Sequence, residues 1–157
     1  MPNMVEQDAQ FLKLAIENSR RSMAEGNFPA GAVVVRDGNV LSSEVSSPFP
    51  GLFHADSKAV TAAFNEYGPL TGATLYIGLQ SCLMCTGVAY WGGIRRIVFA
   101  VPKSKVSGNY YETHEDTSEL TTRFNEPIEI IHIQELEDEA LQVVREWERK
   151  AGLDTGS

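Results

Sequence analysis

The sequence predicts an α/β fold in which a central sheet is covered by helices on both faces. Helix-like and strand-like patterns alternate along the chain, and residues 73–101 have the order strand, helix, strand. Such a unit joins two parallel strands by a right-handed crossover, so we expect part of the sheet to be parallel. The 157 residues show no internal repeat and no linker, and we expect one domain over residues 1–157.

The first half of the chain is predicted to contain a helix, a hairpin and a second helix. Apolar residues recur at helical spacing from Asp8, the expected N-cap, until Gly26 ends the helix. The dipeptide Asp37-Gly38 separates two strand-like runs and is a strong hairpin signal. The expected elements are a helix over 8–25, strands over 32–36 and 39–45, and a helix over 55–66.

The second half is predicted to contain three strands and two helices. A short helix begins at Cys82 and ends near Gly92-Gly93, between two apolar strands. The polar stretch 102–125 lacks a strand pattern, and we expect a short helix around Asp116–Thr122. A later run alternates like an edge strand before the final helix. The expected elements are strands over 73–79, 94–101 and 128–133 and helices over 82–92 and 135–150.

Composition and charge limit the classes of function. Thirteen Lys and Arg against 21 Asp and Glu give a net charge of −8. This acidity disfavours proteins that bind nucleic acid by neutralising phosphates, so we expect a small-molecule substrate and no nucleic-acid partner. The sequence has neither a secretory signal pattern nor an apolar run near the roughly 20 residues of a membrane span. With only two cysteines, we expect a reducing, cytoplasmic location and no membrane association.

The residues that indicate chemistry are His54, Cys82 and Cys85. Two thiolates in a C-x-x-C pair suit zinc, and a catalytic zinc needs only three protein ligands because water takes the fourth position. His54 lies where a loop leads into a helix, and the cysteines lie where a strand end leads into another helix. Both points can meet at one edge of a sheet, where the positive ends of two helices would favour ionised cysteines. The expected cofactor is therefore Zn²⁺.

Each of these residues also has a simpler interpretation. The cysteine pair alone fits a redox dithiol, or two buried cysteines packed on a helix, as well as it fits zinc. A histidine taken alone is more often a core or loop residue than a metal ligand. The joint occurrence of all three residues at these positions favours the zinc interpretation.

Two short motifs carry a resemblance to a known family. The chain contains His54-Ala55-Asp56 and Ser81-Cys82-Leu83-Met84-Cys85, which are similar to the H-x-E and P-C-x-x-C pattern of zinc deaminases. Segments 27–33, 74–76 and 94–100 are also similar to segments of that family. The chain resembles the cytidine and deoxycytidylate deaminase superfamily, and within it the branch of bacterial guanine deaminases and tRNA adenosine deaminases.

The resemblance implies a three-layer α/β/α sandwich with a five-stranded mixed sheet, one zinc per subunit and a homodimer. It also implies hydrolytic deamination of a small amino-substituted nitrogen heterocycle, such as a nucleobase, a nucleoside or an analogue, with zinc-bound water as the nucleophile. Asp56 is then the proton shuttle between water, ring nitrogen and departing amine. The alternative is a catalytically silent zinc-binding subunit that binds a partner protein.

The chain departs from the family pattern at three places. Asp56 replaces the glutamate of H-x-E, and Ser81 replaces the proline before the first cysteine. Ser46-Ser47 stand where relatives tend to have a substrate-binding asparagine.

Six residues are candidate substrate contacts. Phe28 and Trp91 are aromatic and can stack on a flat ring, although a place in the core or a dimer interface is the simpler interpretation. His114 is either part of a lid over the site or part of a solvated polar segment. The resemblance adds Ala30, Ser46 and Ser81.

Overall fold

Five strands form one mixed sheet between two layers of helices in the computed structural model, which describes residues 4–153. The strands are β1 Gly31–Arg36, β2 Asn39–Val45, β3 Thr74–Leu79, β4 Arg96–Val101 and β5 Glu129–His132. The helices are α1 Met4–Ala24, α2 Ala55–Tyr67, α3 Leu83–Gly92 and α4 Glu137–Ala151. The strand order is β2-β1-β3-β4-β5, so β5 is an edge strand as expected.

Strand direction follows the connections between the elements. The hairpin makes β1 antiparallel to β2, and β1 is also antiparallel to β3. Strand β3 is parallel to β4, and β4 is parallel to β5, because a crossover joins each pair. The sequence prediction of a mixed α/β sheet with helices on both faces is confirmed.

Two hydrophobic cores lie on opposite faces of the sheet. Helices α1 and α4 pack on one face, and α2 and α3 pack on the other. Successive side chains of β1 point to opposite faces of the sheet and so contribute to both cores. Val33 and Val35 belong to the core under α1 and α4, whereas Ala32 and Val34 belong to the core under α2 and α3. Because β1 is buried on both faces, its sequence is continuously apolar rather than alternating.

The predicted hairpin forms at Asp37-Gly38. Asp37 has φ of 53° and Gly38 has φ of 78°, so both residues occupy the left-handed region. A two-residue turn with both φ values positive is type I′, whose twist matches that of the flanking strands. The turn sets the register in which Arg36 lies opposite Asn39.

Asp8 is not the N-cap of α1, and that prediction was wrong. The helix already includes Met4, so Asp8 lies inside it, where its carboxylate is buried against the sheet. The carboxylate accepts a hydrogen bond from the Tyr76 hydroxyl at 2.6 Å and two from Arg96, at 2.8 and 2.5 Å. Burial acts to raise the pKa of Asp8, but these hydrogen bonds hold it below its usual value. The partners are 68 and 88 residues away, so local sequence could not indicate them.

The polar segment 102–125 forms short 3-10 turns rather than regular secondary structure. The helix expected around Asp116–Thr122 is one of these turns, Ser118–Thr122. Another turn, Gly108–Tyr110, brings the segment over the end of β3. Within residues 4–153, no helix combines the length and the apolar character that crossing a bilayer requires.

The Asp8–Arg96 pair is expected to stabilise the fold, because the Asp8 side chain is only 5% exposed. We expect Asp8→Asn to lower the free energy of unfolding by about 3 kcal/mol, because it leaves the Arg96 guanidinium without its buried counter-charge. Arg96 also pairs with the exposed Glu129, at 3.2 Å. Glu129→Gln is therefore a matched control, expected to cost less than about 0.5 kcal/mol. Urea unfolding at pH 7 measures both losses, and equal losses would contradict the assignment.

At low pH, wild type and Asp8→Asn should have nearly the same free energy of unfolding. Folding lowers the pKa of Asp8, so its stabilising contribution is present above the unfolded-state pKa and is lost as the pH falls through the lower folded-state pKa. The gap in unfolding free energy should therefore be constant above about pH 5 and should shrink below about pH 4. Urea titrations between pH 3 and pH 7 test this, and a gap that widened in acid would contradict it.

Candidate metal centre and its cavity

The N-termini of two helices hold the three predicted metal ligands. His54 is the N-cap residue of α2, and Cys82 is the N-cap residue of α3. Cys85 lies in the first turn of α3, and its backbone N–H donates to Cys82 Sγ at 3.5 Å. Because α2 and α3 pack together on one face of the sheet, their N-termini meet at the same edge.

His54, Cys82 and Cys85 offer ligand atoms that all lie within 4.8 Å of one another. His54 Nδ1 is 3.5 Å from Cys82 Sγ and 3.4 Å from Cys85 Sγ. Tetrahedral coordination at ordinary Zn–S and Zn–N bond lengths would separate such nitrogen and sulfur atoms by about 3.6 Å. The spacing of the donors therefore fits a zinc ion.

The second ring nitrogen of His54 supports the same conclusion. His54 Nε2 lies 2.8 Å from the carbonyl oxygen of Gly51, to which it donates. In the neutral imidazole this hydrogen bond leaves the free lone pair on Nδ1, the ring nitrogen that lies 3.4–3.5 Å from the two sulfurs. A backbone carbonyl that orients a metal-binding imidazole in this way is a common outer contact of zinc sites.

The three side chains compete for protons in the absence of an ion. A hydrogen bond from Cys85 and the nearby His54 lower the pKa of Cys82 to about 6, while the Cys82 sulfur raises the pKa of His54 to about 9. The hydrogen bond with Cys82, together with burial, raises the pKa of Cys85, because a second thiolate would lie against the first. A divalent cation removes this conflict, since two thiolates and a neutral imidazole balance its charge.

Asp56 lies beside the ligand cluster in the first turn of α2. Its side chain is buried and lines the same cavity as His54 and Cys82. The Ser81 hydroxyl donates to Asp56 Oδ2 at 2.9 Å, and the backbone N–H of Ser57 donates to Oδ1 at 3.2 Å. The carboxylate is thus held next to the metal ligands without being one of the three.

An aromatic cluster, here called the aromatic wall, borders the cavity. It consists of Phe28, Phe49, Tyr110 and Trp147, whose ring centroids lie 5.2–6.1 Å apart, mostly edge to face. Phe28, Phe49 and Tyr110 line the cavity directly. Trp147 of α4 packs behind them, as its place on the apolar face of that helix allows. The lining of the cavity therefore combines aromatic side chains with the polar groups of His54, Cys82 and Asp56.

Four of the six candidate substrate contacts lie at this site. Phe28, Ala30 and Ser46 line the cavity. Ser81 lies next to it, where its hydroxyl contacts Asp56.

Trp91 and His114 do not lie at the cavity, so the structure corrects both predictions. Trp91 is near the end of α3, about 9 Å along the helix from Cys85, and its side chain is 82% exposed. His114 contacts Gly108 and lines a separate groove with His132 and Lys103. Both positions depend on tertiary packing that residue type alone does not indicate.

Segment 102–125 supplies site residues that the sequence analysis did not select. Tyr110 belongs to the aromatic wall, and the Tyr111 hydroxyl donates to the backbone carbonyl of Gln80 at 2.7 Å. Glu112 accepts hydrogen bonds from the backbone N–H groups of Leu83 and Met84, both at 3.1 Å, at the start of α3. Partial burial acts to raise the pKa of Glu112, but these hydrogen bonds hold it below its usual value. The adjacent tyrosines in a polar stretch were the only available sequence signal.

Comparison with known proteins gives consistent matches. Residues 5–101 match the family described as the cytidine and deoxycytidylate deaminase zinc-binding region. A probable cytosine deaminase of Schizosaccharomyces pombe is 27% identical over 145 residues, which cover 87% of this chain and 89% of the relative. A tRNA-specific adenosine deaminase of Bacillus subtilis is 28% identical over 132 residues, which cover 80% of this chain and 79% of the relative.

A solved structure has the same fold. The guanine deaminase from Nitrosomonas europaea superimposes with a TM-score of 0.76 at 20% identity, covering 88% of this chain and 83% of that chain. The family match spans more than half of this chain and includes His54, Cys82, Cys85 and Asp56. The resemblance stated from the sequence is confirmed, and the chain belongs to the cytidine and deoxycytidylate deaminase family of zinc-dependent deaminases.

Proposed function

We propose that this protein hydrolyses the exocyclic amine of a small nitrogen heterocycle, such as a nucleobase, a nucleoside or an analogue. The observation that carries the proposal is the position of Asp56, whose carboxylate lies in the same cavity as the three-donor cluster of His54, Cys82 and Cys85. An acid beside a metal centre can move protons where the reaction needs them. The aromatic wall provides an apolar face against which a flat ring can stack.

His54, Cys82 and Cys85 would hold the zinc, which supplies a Lewis acid that makes a water molecule more acidic. Asp56 accepts a proton from the attacking water and returns protons to the ring nitrogen and the departing amine. The water oxygen forms a bond to the ring carbon, and the carbon–nitrogen bond to the amine breaks. One proton of the water ends on the ring nitrogen and the other on ammonia, so the reaction balances without an oxidant or reductant.

The proposed substrate is small and flat. Phe28 and Phe49 line the cavity together with the polar residues Ser46 and Gln80. The S. pombe relative is named as a probable cytosine deaminase, and the N. europaea neighbour is a guanine deaminase. Cytosine, guanine, adenine and their nucleosides therefore form the substrate panel on which to measure ammonia release.

A second candidate substrate is a folded RNA, because relatives include tRNA-specific adenosine deaminases. The distribution of positive charge opposes it. Arg20 already pairs with Glu17 and Glu139, and Arg96 with Asp8 and Glu129. These arginines have little unpaired charge to offer a phosphate backbone, and the net charge of the chain is −8.

We also propose that the protein is a homodimer, as the family resemblance implies. An exposed apolar surface on α2 and α3 supports this, since Trp91 is 82% exposed and Phe64 and Leu83 are each 40% exposed. Such a patch is typical of a protein–protein interface.

Zinc binding should depend on the three ligands. We expect Cys82→Ser, Cys85→Ala and His54→Ala to lose most of the bound zinc, because two donors cannot hold it at nanomolar free zinc. The matched control is His114→Ala, since His114 lies in a separate groove, and it should keep one zinc per chain. Elemental analysis after dialysis measures the stoichiometry. Full zinc content in either cysteine variant would contradict the assignment.

Turnover should depend on Asp56. We expect Asp56→Asn to keep its zinc but to lose at least about 100-fold in kcat, because an amide cannot shuttle protons. Asp138→Asn, an exposed change in the first turn of α4, is the matched control and should leave kcat unchanged. Ammonia release on the substrate panel measures the effect, and an Asp56→Asn protein with wild-type turnover would contradict the shuttle role.

The same assay tests the alternative of a catalytically silent subunit. A wild-type protein that holds zinc but releases no ammonia from any panel member would contradict the proposed function. An Asp56→Glu variant that gained strong activity from such an inactive parent would identify the shortened acid as the cause, since aspartate is one methylene shorter than glutamate.

Folded RNA should bind weakly. We expect no dissociation constant below about 1 µM for tRNA at roughly 150 mM salt, because the net charge of the chain is −8 and carboxylates already pair with Arg20 and Arg96. Fluorescence anisotropy with labelled tRNA between about 50 and 200 mM salt measures this. Submicromolar binding that weakens steeply with salt would favour the RNA substrate instead.

A further inference from the structure

Two elements hold the carboxylate of Asp56. Asp56 Oδ1 accepts from the backbone N–H of the next residue, Ser57, at 3.2 Å, so this contact moves with helix α2. Asp56 Oδ2 accepts from the hydroxyl of Ser81 at 2.9 Å, and Ser81 lies in the loop between β3 and α3. Unlike the Ser57 contact, the Ser81 contact joins the Asp56 carboxylate to an element other than α2.

Ser81 precedes the metal ligand Cys82 by one residue. Its hydrogen bond ties the Asp56 carboxylate to the loop that carries the first sulfur of the cluster. The backbone N–H of Cys85, the second cysteine of the cluster, donates to Cys82 Sγ at 3.5 Å. The Ser81 hydrogen bond thus links Asp56 of α2 to the residue next to Cys82, in addition to the packing of α2 against α3.

The residue types at positions 56 and 81 are chemically complementary. The usual pattern has glutamate at the first position and proline at the second, and proline offers no hydrogen-bond donor. Here the acid is shorter by roughly one C–C bond, about 1.5 Å, and the neighbouring position offers a hydroxyl. A glutamate at position 56 would extend its carboxylate past the point where the Ser81 hydroxyl now meets it.

We infer that Ser81 is a positioning residue for the reaction: its hydroxyl fixes the shortened acid Asp56 in the orientation that proton transfer requires. The inference rests on the proposed function, because it needs Asp56 to be the proton shuttle. It adds that the serine at position 81 and the aspartate at position 56 work as a pair. Their effects on turnover must therefore be non-additive.

The test is a double-mutant cycle measured by ammonia release on the substrate panel. We expect Ser81→Ala to lower kcat by roughly ten- to a hundredfold with KM changed by less than about twofold, because the hydrogen bond to a charged carboxylate is lost. Ser81→Thr keeps the hydroxyl and should retain kcat within about threefold. In an Asp56→Glu background, Ser81→Ala should change kcat by less than about twofold, because the longer acid no longer meets residue 81.

A matched control removes a hydroxyl of similar geometry outside the cavity. Thr122→Ala deletes a hydroxyl that donates to Glu119 O at 2.7 Å, and it should leave kcat unchanged. Zinc content and urea midpoint, measured for every variant, exclude loss of metal or of folding. An equal effect of Ser81→Ala in both backgrounds, or unchanged kcat in the wild-type background, would overturn the inference.

Crystal structures of the zinc-loaded wild type and of Ser81→Ala supply a readout independent of turnover. We expect the Asp56 carboxylate to rotate away from its wild-type position in Ser81→Ala and to keep that position in Ser81→Thr. An unmoved carboxylate in Ser81→Ala would overturn the positioning role. Failure of the proposed function gives a different result. The wild type would then release no ammonia, or Asp56→Asn would keep wild-type turnover.

Discussion

The N-termini of α2 and α3 meet at one edge of the sheet because both helices pack on the same face and against each other. His54 and Cys82 cap these two helices, so the meeting brings an imidazole and two sulfurs to one point. The positive ends of both helices favour negative charge there. The candidate metal site, the position of Asp56 in the first turn of α2 and the shape of the cavity all depend on this convergence.

The start of α3 shows how the chain satisfies its own polar groups around the cluster. The first backbone N–H groups of a helix have no partner inside it. Those of Leu83 and Met84 donate to the Glu112 carboxylate, and that of Cys85 donates to Cys82 Sγ. Through Glu112, segment 102–125 stabilises the N-terminus of α3. This polar, irregular segment therefore has a structural role at the site.

The other side of the cavity is built from elements distant in the chain. The aromatic wall takes Phe28 from the α1–β1 loop, Phe49 from the β2–α2 loop, Tyr110 from segment 102–125 and Trp147 from α4. The Tyr110 hydroxyl donates to Glu148, a fully buried carboxylate that also accepts from Arg145 at 3.0 Å. A buried charge paired in this way fixes the tyrosine ring in orientation. The wall is therefore rigid, which suits recognition of a flat ring.

Local sequence patterns were enough to predict the α/β class, the Asp37-Gly38 hairpin, the parallel strands around the cysteine helix and the three candidate metal ligands. These features depend on local patterns, because periodicity, turn residues and C-x-x-C spacing act over a few residues. Packing between distant elements sets the role of Asp8, the exposure of Trp91, the separate groove of His114, and the contributions of Tyr110 and Glu112 to the site. It also brought Ser81 to Asp56, 25 residues apart. Each of these depends on which elements pack together, and a side chain's partners across a sheet or between two helix ends leave no trace in the residues next to it.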